Sequence, residues 1–388
     1  MKKVLSLFTS FTLVFLLVAC GNAGDSVTSG NSGNDTFKIG GIGPVTGAAA
    51  VYGLAIKNGA QIAIDEINAS GGINGYKVEY RFEDDEHDVE KSVNAYNSLK
   101  DWGMQMLSGT TTSGPCIAVA EETKRDNMFQ LTPSGSAVEC TKNSNVFRVC
   151  FSDPDQGVGS VDYIDTHNLA SKVGIIYDAS DVYSSGVYKK FIENSKGKSF
   201  EVVAEESFTS DSKTDFTTQL NKMKSEGADL VFLPFYYSEA ALVLAQARAM
   251  DYHPTFFSCD GMDGILTLDN FDVSLAEGVM LLTPFAADAT DPITTNFVNV
   301  YSQRHGEIPN QFAADSYDSI YIIKNAIENA SLTPDMSVSD LCDGIKTAMT
   351  NITYDGLTGL NMTWDSKGEP NKDPKAVVIR NGKYVLAN

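Results

Sequence analysis

The chain has 388 residues, 43% hydrophobic and 20% charged, so it carries enough apolar mass for about two cores and is neither disordered nor collagen-like. Its 50 Asp+Glu against 29 Lys+Arg leave a formal charge of -21. That field excludes phosphate-backbone binding and repels an anionic membrane surface, so nucleic acid is not a partner and any membrane attachment must be covalent or hydrophobic.

Met1-Lys2-Lys3 opens the chain, and residues 4–19 follow without a charge. This run is too short and too broken by Ser and Thr to cross a bilayer, and it predicts a signal peptide over 1–19. It ends in Leu17-Val18-Ala19-Cys20-Gly21, which is similar to the bacterial lipobox and makes Cys20 the expected lipidation site. Residues 20–36 are rich in Gly, Ser and Asn and predict a flexible tether. The expected location is extracytoplasmic, with contact to the membrane only through the lipid.

The body begins at Phe37. Apolar runs and helical spacings alternate: strand 37–43, helix 53–69, strand 76–82, helix 88–102, strand 104–107, helix 116–127, strand 128–132 and strand 146–149. The rhythm restarts after Asp153-Pro154 with strand 172–177, helix 182–195, strand 200–205, helix 215–225, strand 229–234, helix 238–250, and strands 255–258 and 278–283. Helices at 293–305, 311–330 and 338–350 follow, and Asn381-Gly382 turns a C-terminal hairpin. The pattern predicts an α/β protein of two Rossmann-like lobes, each with a parallel central sheet. The late helices need a sheet to cover, and the first lobe offers one. The expected division is 37–152 plus 285–362 for lobe 1 and 153–284 plus 363–388 for lobe 2, joined by a multi-segment hinge.

Catalytic and cofactor chemistry finds little support. The glycines at 41, 43 and 47 miss the dinucleotide spacing, and no acidic residue follows at the right distance. His87, His167, His253 and His305 are scattered, and the acidic stretch 83–88 lacks a calcium-loop pattern and predicts a solvated loop. No nucleophile elbow or Cys–His signature occurs, so neither enzyme activity, metal nor cofactor is expected. Cys116, Cys140, Cys150, Cys259 and Cys342 could pair or stay free, with Cys116–Cys140 the first candidate for a disulfide.

Three loops carry the functional signal. Residues 109–115 (with Thr112 and Ser113), 132–136 (with Ser134 and Ser136) and 258–261 (with Asp260) each follow a strand, where open α/β sheets bind ligands. The first two offer hydroxyls and free amides near a helix start, suited to a carboxylate, although such residues also serve as plain N-caps. The third offers one carboxylate, suited to an ammonium. Together they describe a site for a zwitterion.

These residues bring out a resemblance. Gly43-Pro44-Val45-Thr46-Gly47, Asn68-Ala69-Ser70-Gly71-Gly72-Ile73-Asn74-Gly75, Leu131-Thr132-Pro133, Arg148 with Asp153-Pro154-Asp155-Gln156-Gly157, and Thr363-Trp364-Asp365 are similar to the periplasmic binding protein type I family, in its leucine/isoleucine/valine-binding branch. The resemblance spans 37–388. It implies a two-lobed receptor of an ABC importer that closes on an amino acid and docks on a permease. It also implies that Ser113, Ser134 and Ser136 meet the ligand's carboxylate and ammonium. Asp260 would meet the ammonium, in place of the family's more usual Glu, and Tyr52, Tyr183 and Tyr236 would line the cleft. Three consecutive threonines in the first loop make a purely aliphatic specificity less certain and leave a polar or aromatic amino acid open. A sensory receptor of the same fold is the alternative, and an extracytoplasmic hydrolase a more remote one. A monomer is expected.

Overall fold

The computed structural model describes residues 35–387. The signal segment, Cys20 and the tether through residue 34 lie outside the described residues.

The first sheet is built from β1 (Thr36–Gly43), β2 (Lys77–Asp84), β3 (Met106–Gly109), β4 (Phe129–Thr132) and β5 (Val146–Arg148). All are parallel, in the order β2-β1-β3-β4-β5. The second sheet contains β6 (Lys172–Asp178), β7 (Glu201–Phe208), β8 (Leu230–Leu233), β9 (Thr255–Ser258), β10 (Met280–Thr283), β11 (Lys375–Arg380) and β12 (Lys383–Leu386). Its order is β12-β11-β10-β9-β8-β6-β7, with β11 and β12 added antiparallel to a parallel sheet. The parallel parts of the two sheets share one topology: the first strand sits between the second and the third. Each lobe therefore has its own switch point, and the loops beside it open a crevice at the strand carboxyl ends. The strands β3, β4 and β8 are buried on both faces, as helix-covered parallel strands must be.

In the first lobe α1 (Ala50–Ala69), α2 (Val89–Trp102) and α3 (Ser113–Asp126) connect the strands. In the second lobe α5 (Val182–Asn194), α6 (Thr217–Glu226) and α7 (Tyr237–Ala249) do so. Asp88 and Asp181 cap α2 and α5 by accepting from Lys91 N and Ser184 N. One helix escapes the periodicity reading. This is α4 (Asp153–Thr166), started by Ser152 and Asp155, whose side chains form a reciprocal capping box around Pro154. Its apolar positions are few, so the stripe is faint, while the capping signature stands in the sequence.

After β10 come α8 (Pro292–His305), α9 (Gln311–Asn329) and α10 (Val338–Met349). The helix α9 runs along α1, and α10 packs on α9 and β4. Gly59 permits the α1–α9 approach, since a Cβ there would collide with Ala313 O. The chain passes between the sheets after β5, after β10 and before β11. At the last passage Lys372 and Asp315 form an ion pair at 3.1 Å with both side chains almost wholly buried, and Lys372 Nζ also donates to Thr358 Oγ1 at 2.8 Å.

The five cysteines of the body are buried free thiols, so the expected Cys116–Cys140 bridge is replaced by packing. Both sulfurs lie in a small cluster with Ala137, and Cys140 Sγ donates to Ser113 O at 3.7 Å. No described helix is long and apolar enough to cross a membrane.

Candidate ligand-binding site

Both switch-point crevices open onto one pocket of about 260 Å³. Tyr52, Thr111, Thr112, Ser113, Ser134, Ser136 and Phe312 line it from one side, and Tyr183, Tyr236, Asp260 and Gly261 from the other. Every residue singled out from the sequence as a binding residue is among them. Thr111 and Gly261 join them from two of the loops marked in the sequence, and Phe312 joins them unforeseen. Phe312 could not be foreseen, because α9 reaches the pocket only through its packing on α1.

The hydrogen bonds already made by the serines decide what each can still offer. Ser113 Oγ accepts from Ser136 N at 3.2 Å and Ala137 N at 3.1 Å. Its lone pairs are taken, so its own proton remains for an acceptor such as a carboxylate. Ser113 stands in the first turn of α3, whose unpaired amides and dipole favour the same charge. Ser134 Oγ donates to Thr111 O at 2.6 Å. Ser134 therefore keeps lone pairs that can accept from an ammonium. Ser136 accepts at its backbone oxygen from Asp153 N at 2.9 Å, and Asp153 is 2% exposed, with desolvation raising its carboxyl well above the ordinary value.

A buried arginine holds this loop in shape. Arg148 is fully buried and donates to the carbonyls of Gly135, Ser136 and Ala137, the last at 3.0 Å, and to Thr141 Oγ1 at 2.9 Å. Its Nε lies 3.0 Å from Glu369 Oε2. Three neighbouring carbonyls turned toward one guanidinium leave the serine hydroxyls facing the pocket.

Across the pocket, Asp260 sits in a 3₁₀ turn after β9 and is 5% exposed. Gln156 Nε2 donates to its Oδ2 at 2.9 Å. Desolvation by burial pushes this carboxyl up to about 7, against the Gln156 bond and the nearby Tyr183 hydroxyl. A cationic group seated beside it would return it to the charged form. Gly261 lets Tyr183 come close: its N–H donates to Tyr183 Oη at 3.1 Å, and a Cβ there would stand 2.8 Å from that oxygen. Burial raises the hydroxyls of Tyr52, Tyr183 and Tyr236 well above their ordinary value, so all three stay neutral.

The remaining walls are aromatic. Tyr183 and Tyr236 stack at 5.4 Å between ring centres, Tyr52 meets Tyr236 edge-on at 5.5 Å, and Phe312 lies 4.4 Å from Tyr52. Such faces suit an apolar side chain and the flank of an ammonium. The three threonines add little polarity to the pocket. Thr110 Oγ1 donates to Thr112 O at 3.4 Å, Thr111 Oγ1 to Ile42 O at 3.2 Å, and Thr112 Oγ1 lies 2.9 Å from His87 Nδ1.

The acidic stretch 83–88 serves structure, and it is not wholly solvated. Asp84 accepts from Val45 N at 2.9 Å, holding the loop that leads to α1. Asp85 is fully buried, and desolvation raises it to about 7.

The sides of the pocket also touch each other directly. Tyr52 donates to Gly261 O and accepts from Tyr237 N at 3.2 Å, while Val51 N donates to Tyr237 Oη at 3.2 Å and Ser238 Oγ to Ala48 O at 2.7 Å.

Residues 36–383 match the family described as periplasmic binding protein. The chain is 31% identical over 330 residues to the Leu/Ile/Val-binding protein BraC3 of Rhizobium johnstonii, covering 83% of this chain and 88% of the relative. It is 25% identical over 337 residues to the leucine-, isoleucine-, valine-, threonine- and alanine-binding protein of Pseudomonas aeruginosa, covering 86% and 87%. Among solved structures it is similar to the branched-chain amino acid substrate-binding protein LivJ of Streptococcus pneumoniae in complex with isoleucine. That likeness has a TM-score of 0.81 and 27% identity, and covers 91% of this chain and 100% of the other.

Proposed function

The chain belongs to the periplasmic binding protein family, and on that premise we propose that it is the receptor of an ABC importer for a branched-chain amino acid. Members of this family are extracytoplasmic solute-binding proteins. One observation carries the reading: hydroxyls and a helix start on one side of a single pocket oppose a buried carboxylate on the other. Ser113 and the amides at the start of α3 take the ligand's carboxylate. Asp260, Ser134 and Ser136 take its ammonium, while Tyr52, Tyr183, Tyr236 and Phe312 enclose its side chain. The relatives' names and the internally bonded threonines both favour an aliphatic side chain over a polar one.

Residues 37–152 plus 285–362 and residues 153–284 plus 363–388 act as two jaws. A ligand that reaches both jaws only when they are closed shifts the population toward closure. The closed form then delivers it to a membrane permease. The chain works as a monomer, held to the membrane by a lipid on Cys20, and performs no catalysis.

A thermal-shift series with the twenty protein amino acids tests this. Leucine, isoleucine or valine should raise the melting temperature, since a ligand at 100 times its Kd stabilises by about 2.7 kcal/mol. If no amino acid at millimolar concentration moves the transition of the folded protein, the reading fails.

A further inference from the structure

Tyr236 stands where two cavities meet. Its ring lines the ligand pocket, and the same residue lines a second cavity of about 960 Å³ beyond it. Ala48 and His87 bound this outer space on one side, and Asp178, Asp181, Lys213 and Glu239 on the other. The ring is wedged rather than hydrogen-bonded. It stacks on Tyr183 at 5.4 Å and meets His87 edge-on at 5.4 Å, and among the described residues its hydroxyl has no side-chain or backbone partner. With carboxylate and ammonium fixed by the serines and Asp260, the ligand's side chain is left to the aromatic wall that Tyr236 belongs to.

We propose that Tyr236 is a specificity-determining residue. Its ring is the partition that limits the length of the side chain admitted, and it separates the ligand pocket from a larger outer cavity that carries Asp178, Asp181 and Glu239 on its wall. The inference rests on the amino-acid reading of the pocket and adds a length limit that this reading does not contain. Removing the ring joins the two spaces without breaking a hydrogen bond. The joined cavity ends on Asp178, Asp181 and Glu239, so it suits a long side chain with a cationic end. Lys213, 3.4 Å from Glu239, offsets only part of this charge.

The experiment is calorimetric titration of the wild type and Tyr236→Ala with alanine, 2-aminobutyrate, norvaline, norleucine and 2-aminoheptanoate, and with lysine. In the wild type, affinity should rise with length while the pocket fills. It should then drop about tenfold or more at the methylene that meets the ring, the scale on which a pocket discriminates one such group. In Tyr236→Ala the drop should vanish, and lysine should bind at least about tenfold more tightly than it does to the wild type. A cut-off at the same length in both proteins, or none in the wild type, would overturn the inference. A folded wild type that binds no member of the series would instead refute the amino-acid reading itself. Tyr236→Leu, which keeps an apolar filler of smaller size, carries the same test if the alanine variant does not fold.

Discussion

At the scale of single residues, Asp260 carries the most demanding chemistry. Its carboxyl ordinarily titrates at 3.8, and burial lifts it to about 7 in the folded chain. Between those values the folded state keeps a proton that the unfolded state has released. Its contribution to stability therefore falls as pH rises from about 4 to about 7, at up to about 1.4 kcal/mol per pH unit. Asp260→Asn should consequently melt higher than the wild type at pH 8 without ligand, and close to it at pH 4. A scanning-calorimetry result with the variant lower at pH 8 would contradict this. The same change should weaken amino-acid binding, and Asp260→Ala should cost about 2–5 kcal/mol of affinity, as expected when a buried ammonium loses its partner. A calorimetric loss under about 0.5 kcal/mol would remove Asp260 from the site. Only the ionised carboxylate attracts the ammonium, so affinity should also decline as pH falls below about 7. The placement of Asp260 at the pocket was legible in the sequence, because its loop follows a strand, where open α/β sheets gather their ligand-facing residues. The bond from Gln156 was not legible, since that residue arrives from α4 and nothing local links it to Asp260.

At the scale of elements, the loop after β4 shows how a short segment acquires a shape it cannot hold alone. Residues 135–137 turn their carbonyls to Arg148, which leaves the chain at the end of β5. Arg148→Met keeps the bulk and removes the donors, leaving buried carbonyls and Glu369 without their cation. Urea unfolding should register a loss of about 3–5 kcal/mol, together with weaker ligand binding as Ser134 and Ser136 lose their support. A variant as stable as the wild type would mean that water replaces the guanidinium there. The strand–helix alternation was legible from apolar spacing because each of those elements buries one stripe or one run. The helix α4 hid because its buried face is built from Gln156, Gly157, Ser160 and Val161, a face with little apolar contrast.

At the scale of the whole molecule, the two sides of the pocket meet through a few polar contacts. Tyr52 makes two of them, to Gly261 O and from Tyr237 N. Tyr52→Phe keeps the ring and removes both, so it should lower ligand affinity by about 0.5–1.5 kcal/mol per bond. Small-angle scattering should show the ligand-free variant more expanded than the wild type, with saturating ligand restoring the compact form in both. Equal radii of gyration without ligand would show that Tyr52 does not govern closure.

Alternation of apolar strands with amphipathic helices determined the two parallel sheets, because burial on one stripe or both faces leaves a period in the chain itself. Loop composition after three strand ends likewise marked where hydroxyls and a carboxylate would gather. Tertiary structure alone decided the rest. It turned Ser113 into a donor and Ser134 into an acceptor through bonds to distant partners, spent the threonine hydroxyls internally, kept the cysteines as thiols and brought Phe312 to the wall. Each of these depends on which groups meet across tens or hundreds of residues, and a hydroxyl's direction is set by the neighbour that has already claimed its proton or its lone pair.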